Sequence, residues 1–445
     1  MTPARRFALS VGVIATLALT VRVLVILLVD PQVPALGDAS AYHLLANNLA
    51  DGLGYIRPFD RSMLHLDVPT AEYPPLFPFV LGIVARLGVR SVEGQRLAMG
   101  VAGSGTVVLV AYLGRRLAGD AVGIVAALLA AVYPMLFLAD ATLMSETLFA
   151  FLVTAALLLA YAVHDRPSAW RWAALGVVLG LATLTRAEAA TLALLLVVPL
   201  AVGATSLAAA RRVGMAALAM GLVVLVVAPW SIRNWRTFDA FVPVSNNIGT
   251  ALAGANCRLT YGGPSLGSWR STFREGDTGR GECFTGFNGA EPGFDEAAAA
   301  ADARRQGLDY ARAHGGQLPK VAGARVLRTF GAFRVGQQNE LEALEGRPLG
   351  WERAGTWMYW LLVPFGVAGF VLLVRRRSHW WPLAAPVATV VISSLVTYGN
   401  QRFRVAAEPT LLVCAAVALV ALASRIRARS GPDHVEPGKM SSAPA

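Results

Sequence analysis

The chain has 445 residues, of which 55% are hydrophobic and only 15% charged. That balance excludes the two or three soluble domains such a length would otherwise suggest and indicates a polytopic membrane protein. The net charge of +11 does not indicate nucleic-acid binding either, because the arginines fall in short clusters between apolar segments and not along one soluble face.

A helix needs about 20 mostly apolar residues to cross the hydrocarbon. In chain order the segments that qualify are Phe7–Val29, Gln95–Arg115, Ala121–Leu138, Leu143–Val163, Trp172–Thr185, Ala189–Ala204, Val213–Trp230, Gly355–Val374, Trp381–Tyr398 and Val405–Ala423. The first lacks a small-x-small cleavage site at its end and is read as a retained span. The expected fold is therefore an all-α polytopic membrane protein with about ten transmembrane helices, juxtamembrane helices on the outer side and one large outer loop subdomain. Arg5/Arg6, Arg115/Arg116, Arg166/Arg171, Arg211/Arg212, Arg375/Arg376/Arg377 and Arg425/Arg427/Arg429 then all fall on one side. Positive-inside counting makes that side cytoplasmic, with both termini there and the chain multi-pass in the plasma membrane.

The expected division is residues 1–230 as an N-terminal transmembrane catalytic module that includes a first outer loop at 30–94. Residues 231–354 form a large extracytoplasmic loop, 355–424 the C-terminal transmembrane helices, and 425–445 a disordered Pro/Ser-rich tail. In the first loop, Ala39 to Ala50 reads as a surface helix closed by Gly52. The apolar run after Pro78 is too short to span, so residues 74–90 lie in the interface or re-enter.

The second loop is turn-rich from Asn246 to Gly293, then helical from Asp295 to His314 and from Pro319 to about Phe333. Lys320, Arg325 and Arg328 among apolar neighbours suit either anionic headgroups or ordinary packing. Cys257 and Cys283 share this loop, where an oxidising compartment permits a disulfide, with two unpaired thiols as the alternative. No Cys or His cluster with metal-ligand spacing is present, so no standard structural metal site is expected; outer carboxylates could still hold a divalent cation.

Charge is costly inside a bilayer, so the charges that persist mark a site or a path. Asp38, Glu72, Asp140, Glu146, Arg186, Glu188, Arg233, Arg402, Arg404 and Glu408 fall at expected outer span ends, and span interiors are clean apart from Arg22. This pattern suggests one polar cavity opening outward. A carboxylate there can take a hydroxyl proton during attack on an anomeric carbon, and planar guanidiniums suit a donor phosphate. Asp38 is the candidate base, with Glu72, Tyr73, Asp140 and Glu146 as the supporting acidic and acceptor side. Arg186, Arg233, Arg402 and Arg404 are the candidate phosphate ligands. Against each stands a plainer role: Asp38 as a helix N-cap, Asp140 and Glu146 as charges on a helix dipole, and Arg402 and Arg404 as snorkelling residues at a span end.

Several motifs resemble the GT-C class of membrane glycosyltransferases that use polyprenyl-phosphate-linked sugars, in the branch of protein O-mannosyltransferases and lipid A aminoarabinose transferases. They are Gly37-Asp-Ala-Ser-Ala-Tyr42, Tyr73-Pro-Pro-Leu-Phe-Pro78, the stretch around Asp140, Leu184-Thr-Arg-Ala-Glu188, Pro229-Trp-Ser-Ile-Arg-Asn234 and Arg402-Phe-Arg-Val-Ala-Ala-Glu-Pro409. The resemblance implies Asp38 as base and inverting transfer from a polyprenyl-phosphate sugar to an acceptor glycan, protein or lipid at the outer face. It departs where Ala39 follows Asp38, since the mannosyltransferases carry an Asp-Glu pair. The competing function is a multi-span transporter or flippase of a lipid-linked sugar; charges confined to one face and the lack of a central break in any span argue against it. A polymerase or ligase of lipid-linked oligosaccharides would share the same site.

Overall fold

The computed structural model describes residues 1–29, 33–34, 36–271, 283 and 294–429. Most of the tail expected to be disordered lies outside these residues. Within them every apolar segment is helical: α1 (Pro3–Leu24, continued by a π turn at Val25–Val29), α2 (Asp38–Ala50), α3 (Pro58–Leu64), α4 (Leu76–Arg86), α5 (Val92–Ala118), α6 (Asp120–Val132), α7 (Pro134–Ala141), α8 (Glu146–Asp165), α9 (Ala169–Thr185), α10 (Ala189–Gly203) and α11 (Ala209–Phe238). There follow α12 (Asn247–Ala255), α13 (Glu296–Ala313), α14 (Leu318–Thr329), α15 (Val335–Leu344), α16 (Leu349–Arg375), α17 (Trp381–Val396) and α18 (Glu408–Arg429).

Local chemistry sets several starts. Thr2, Ser91 and Asp295 each accept a hydrogen bond from the exposed N–H groups at the head of α1, α5 and α13. Pro134 opens α7 because its nitrogen has no hydrogen to donate to the preceding helix.

Among the described residues six helices are long and apolar enough to cross a membrane, and seven spans result if α6 and α7 count as one bent span. The sequence suggested about ten. The shortfall comes from α9, α10 and α17, with 17, 15 and 16 residues; each is apolar but shorter than the about 20 residues that a crossing usually takes. The bend is also a correction. At Tyr133–Pro134 the axes of α6 and α7 turn by 48°, so one expected span is broken, where the sequence suggested no central break in any span.

Small residues let the long helices meet. A Cβ built on Gly369 of α16 would lie 1.8 Å from the Cys414 carbonyl oxygen of α18, a position that only glycine can occupy.

The first loop packs as a unit: Tyr42 and Leu45 of α2 meet Phe77 and Leu81 of α4 in one buried cluster that also takes in Tyr73, Trp230 and Ala297. The 11-residue α4 is too short to span, as expected. Glu296, at the head of α13, ties this loop to the long segment after α11. Its carboxylate accepts from Thr70 Oγ1 and Ala71 N, both at 2.7 Å, and from Asn246 Nδ2 at 3.1 Å. Cys257 and Cys283 are disulfide-bonded, their Cα atoms 5.0 Å apart.

On α14 the headgroup reading fails for two of its three cations. Arg325 and Arg328 are buried and donate to the carbonyls of Ala255 and Leu266 respectively. Carbonyls left over by the turn-rich segment need donors, and these guanidiniums supply them. Lys320 is exposed. The ten-residue α15 was not expected from the sequence.

The Gly369 contact predicts a contrast. Gly369→Ala should lower stability by about 1–3 kcal/mol, since one methyl forces α16 and α18 apart. Gly12→Ala, with open space around its Cβ, should leave stability unchanged or raise it slightly. Thermal unfolding of both variants in detergent measures the difference.

Candidate active site

Asp38 is the first residue of α2, and the N-cap position before it is taken by Gly37. The capping reading therefore does not hold. The carboxylate turns away from its own helix: Oδ1 accepts from the Tyr73 hydroxyl at 3.2 Å and Oδ2 from Arg402 Nη2 at 3.0 Å. It remains 33% exposed, open enough to meet a ligand. The helix N-terminus adds a favourable field for its negative charge.

Tyr73 is held by its surroundings. Its ring packs edge-on to Tyr42 at 5.0 Å, its carbonyl accepts from the Tyr55 hydroxyl at 3.0 Å, and Pro74 and Pro75 stiffen the backbone into α4.

Arg402 reaches Asp38 from the other end of the chain. It sits on a 3₁₀ turn, Gln401–Ala406, between α17 and α18, whose start is capped by Asn400 Oδ1 accepting from Arg402 N at 2.7 Å. Its Nε donates to Glu146 Oε1 at 2.7 Å, and Nη1 stands 3.7 Å from Glu345 Oε2. Glu146, the first residue of α8, is fully buried and also pairs with Arg186 Nη1 at 3.0 Å. Arg186 in turn donates from Nε to Glu188 at 2.6 Å and lies between the Phe149 and Phe403 rings.

Burial works against the Arg402 charge, yet Glu146, Asp38 and Glu345 outweigh it and hold its pKa well above the usual arginine value. Glu345 moves the other way. Burial, then the neighbouring Asp38 charge, push its carboxyl up to about 7 against the pull of Arg402. Glu72, half-buried just before Tyr73, is likewise pushed up to about 7 by burial and then by Glu296.

Of the nine candidates, Asp38, Tyr73, Glu146, Arg186 and Arg402 come together, and Glu72 adjoins them at Tyr73 with Glu296 as its strongest charged neighbour. The other three do not. Asp140 is 2% exposed and accepts from Arg22 Nε at 2.6 Å and Thr147 Oγ1 at 2.7 Å; Gly103 leaves it room, since a Cβ there would overlap the carboxylate. Arg22, buried in the last turn of α1, demands a buried counter-charge, and Asp140 supplies it.

Arg404 is buried, pairs with Glu408 at 2.8 Å and stacks 3.6 Å over the Tyr359 ring. On a 3₁₀ turn, side chains two residues apart point about 120° away from each other, so Arg402 and Arg404 cannot share a site. Arg233 donates to the carbonyls of Thr70 at 2.7 Å and Tyr55 at 3.0 Å and fastens the first loop from beneath.

Glu345 went unread in the sequence. Its signal was the acidic run Glu340, Glu342, Glu345 closed by Gly346, which ends α15 against the site. Behind it, buried Arg347 stands 3.8 Å from Glu342 and 3.3 Å from Glu352. Among the described residues no group of three or more His, Cys, Asp or Glu side chains could hold a metal ion. The carboxylates of the site converge on guanidiniums.

The raised Glu345 pKa makes a stability prediction. The folded chain keeps this proton up to about pH 7, while the unfolded chain loses it near 4.5. The residue therefore costs nothing below pH 4.5, progressively more as pH rises to 7, and a constant amount above. Glu345→Gln should raise the unfolding temperature at pH 8 and not at pH 4.5; equal shifts at both would contradict this.

Residues 72–232 match the profile of the family described as dolichyl-phosphate-mannose-protein mannosyltransferase. No curated protein matches the chain. Among solved structures it is similar to the Archaeoglobus fulgidus oligosaccharyltransferase in complex with Zn and sulfate, at 14% identity and a TM-score of 0.50, covering 94% of this chain and 50% of that one. The same enzyme tethered to an acceptor peptide gives 13% identity and a TM-score of 0.50, over 95% and 50% of the two chains. ArnT from Cupriavidus metallidurans bound to undecaprenyl phosphate gives 16% identity and a TM-score of 0.43, over 96% and 80%. The chain spans about half the length of the oligosaccharyltransferase, and at such identities the likeness concerns the fold. The chain thus shares its fold with the Archaeoglobus fulgidus oligosaccharyltransferase and, over residues 72–232, matches the profile of the dolichyl-phosphate-mannose-protein mannosyltransferase family.

Proposed function

We propose that this protein transfers a sugar from a polyprenyl-phosphate-linked donor to an acceptor hydroxyl, with Asp38 as general base and inversion at the anomeric carbon. The observation that carries the reading is the 3.0 Å contact between Asp38 and Arg402 in a half-open site. A potential base and a permanently charged phosphate ligand already stand side by side. The family profile over residues 72–232 supports the donor class by its name.

In this reading the donor phosphate competes for Arg402, whose planar guanidinium can grip two of its oxygens. Arg186 adds a second positive charge through the shared Glu146. Released from Arg402, the Asp38 carboxylate takes the acceptor proton as the hydroxyl oxygen bonds to the anomeric carbon. The bond from that carbon to the phosphate oxygen breaks, and the polyprenyl phosphate leaves as an anion, which needs no general acid. Tyr73, hydrogen-bonded to Asp38, keeps the carboxylate aimed. No step is routed through a divalent cation.

The membrane arrangement follows from the arginine clusters: α9, α10 and α17 count as crossings, giving ten spans, both termini are cytoplasmic, and Asp38 faces the outer side of the plasma membrane. The long segment from 231 to 354 then lies outside and brings Glu345 to the site. The break at Pro134 is the one feature that favours a carrier, since transporters use broken helices. Uptake of a lipid-linked sugar into proteoliposomes with no transfer product would establish that reading instead.

Asp38→Asn keeps the size of the side chain and removes its basicity. Transfer from a labelled polyprenyl-phosphate sugar in membranes should fall by roughly 10²–10⁴-fold with the protein level unchanged. Full turnover in that variant would refute the assignment.

A further inference from the structure

Helices α16 and α18 press together along their middles, where a Cβ on Gly366 would lie 2.5 Å from the Leu411 side chain and one on Gly369 would strike the Cys414 carbonyl. Beside this contact and on towards Arg375 and Arg425, they line an open groove of about 340 Å³. Its walls include Phe365 and Leu372 from α16 and Ala418 and Leu422 from α18. Among the described residues the charges that line it are two guanidiniums, Arg375 and Arg425, with no carboxylate. Both arginines are exposed, as are Arg376, Arg377 and Arg427 beside them.

This groove is remote from Asp38. Glu352 in the first turn of α16 belongs to the Arg347 cluster, and Glu408 at the start of α18 pairs with Arg404. At 1.5 Å per residue, Arg375 lies roughly 35 Å along α16 from Glu352. The groove therefore opens at the opposite ends of both helices, where two candidate spans meet the headgroup level.

An apolar trough ending in two guanidiniums, with no carboxylate in its walls among the described residues, calls for an amphiphile with an anionic head and an apolar tail. A free phosphate would leave the trough empty, and a zwitterionic headgroup brings its own cation against the arginines. The groove's distance from Asp38 sets it apart from a carrier lipid drawn to that site, which leaves a phospholipid of the bilayer as the occupant. The volume is at the low end of the range for small-molecule sites, about 300–1,000 Å³, enough for a headgroup phosphate and the first part of one chain. We infer that this groove binds an anionic phospholipid, its phosphate held by Arg375 and Arg425 and an acyl chain laid between α16 and α18.

The site is independent of the proposed transfer reaction and is tested without it. The full chain, purified in mild detergent, is titrated with phosphatidylglycerol, phosphatidylcholine or polyprenyl phosphate, and bound lipid is counted by native mass spectrometry. Phosphatidylglycerol should bind in preference to phosphatidylcholine. Its affinity should fall about tenfold in R375Q/R425Q and equally in A421W, which fills the trough without changing charge. R5Q/R6Q, which removes two exposed arginines from α1, should bind as the parent does. Monodisperse elution and an unchanged unfolding temperature in lipid-free detergent establish that the variants are folded. Parental phosphatidylglycerol affinity in R375Q/R425Q would overturn the inference, as would equal binding of phosphatidylcholine. Binding of polyprenyl phosphate alone, lost in the same variants, would overturn the choice of a phospholipid.

Discussion

One guanidinium holds the centre of this molecule. Arg402 stands within ion-pair reach of Asp38, Glu146 and Glu345, residues that belong to α2, α8 and the end of α15. Glu146 has no access to solvent, so it persists as a charge only because two arginines neutralise it. The energetic requirement to pair buried charges thus fixes the relative positions of four distant parts of the chain. Asp38 differs from its neighbour in being one-third exposed, which is where a ligand could compete with Arg402.

The rest of the polar interior serves to make that centre possible. Arg233 and Glu296 grip the backbone of the first loop around Thr70 and Ala71, and Tyr73 follows two residues later to meet Asp38. Arg325 and Arg328 take up the carbonyls of the turn-rich stretch from Ala255 to Leu266, so that segment is held by arginines as much as by a hydrophobic core. Arg22 and Asp140 perform the same service between α1 and α7. Each of these pairs looks functional when only its residue type and position in the chain are known.

That is why the sequence was legible in some respects and misleading in others. Apolar runs follow directly from burial in hydrocarbon, so the helices stood where expected, and the caps at Asp295 and Pro319 marked α13 and α14 correctly. The approach of Asp38 to Arg402, 364 residues apart, was open to inference because unpaired charges at span ends must find each other. The orientation of a side chain on its turn was not. Arg404 lies two residues from Arg402 yet serves Glu408, and Asp140 satisfies an arginine inside α1 and does not face the site. Glu345 was missed because α15 is short and its role depends on where the preceding Gly331 and Arg334, both at positive φ, turn the chain. Those turns are set by tertiary packing, and local propensity carries little trace of them.

The central claim is that Arg402 is the group a donor phosphate displaces from Asp38. An experimental structure of the full chain with a polyprenyl phosphate bound tests it most directly. The account predicts phosphate oxygens within hydrogen-bonding distance of Arg402 and an Asp38 carboxylate freed from it, still touching Tyr73. A phosphate seated on Arg404 or Arg233, with the Asp38–Arg402 pair intact, would contradict it.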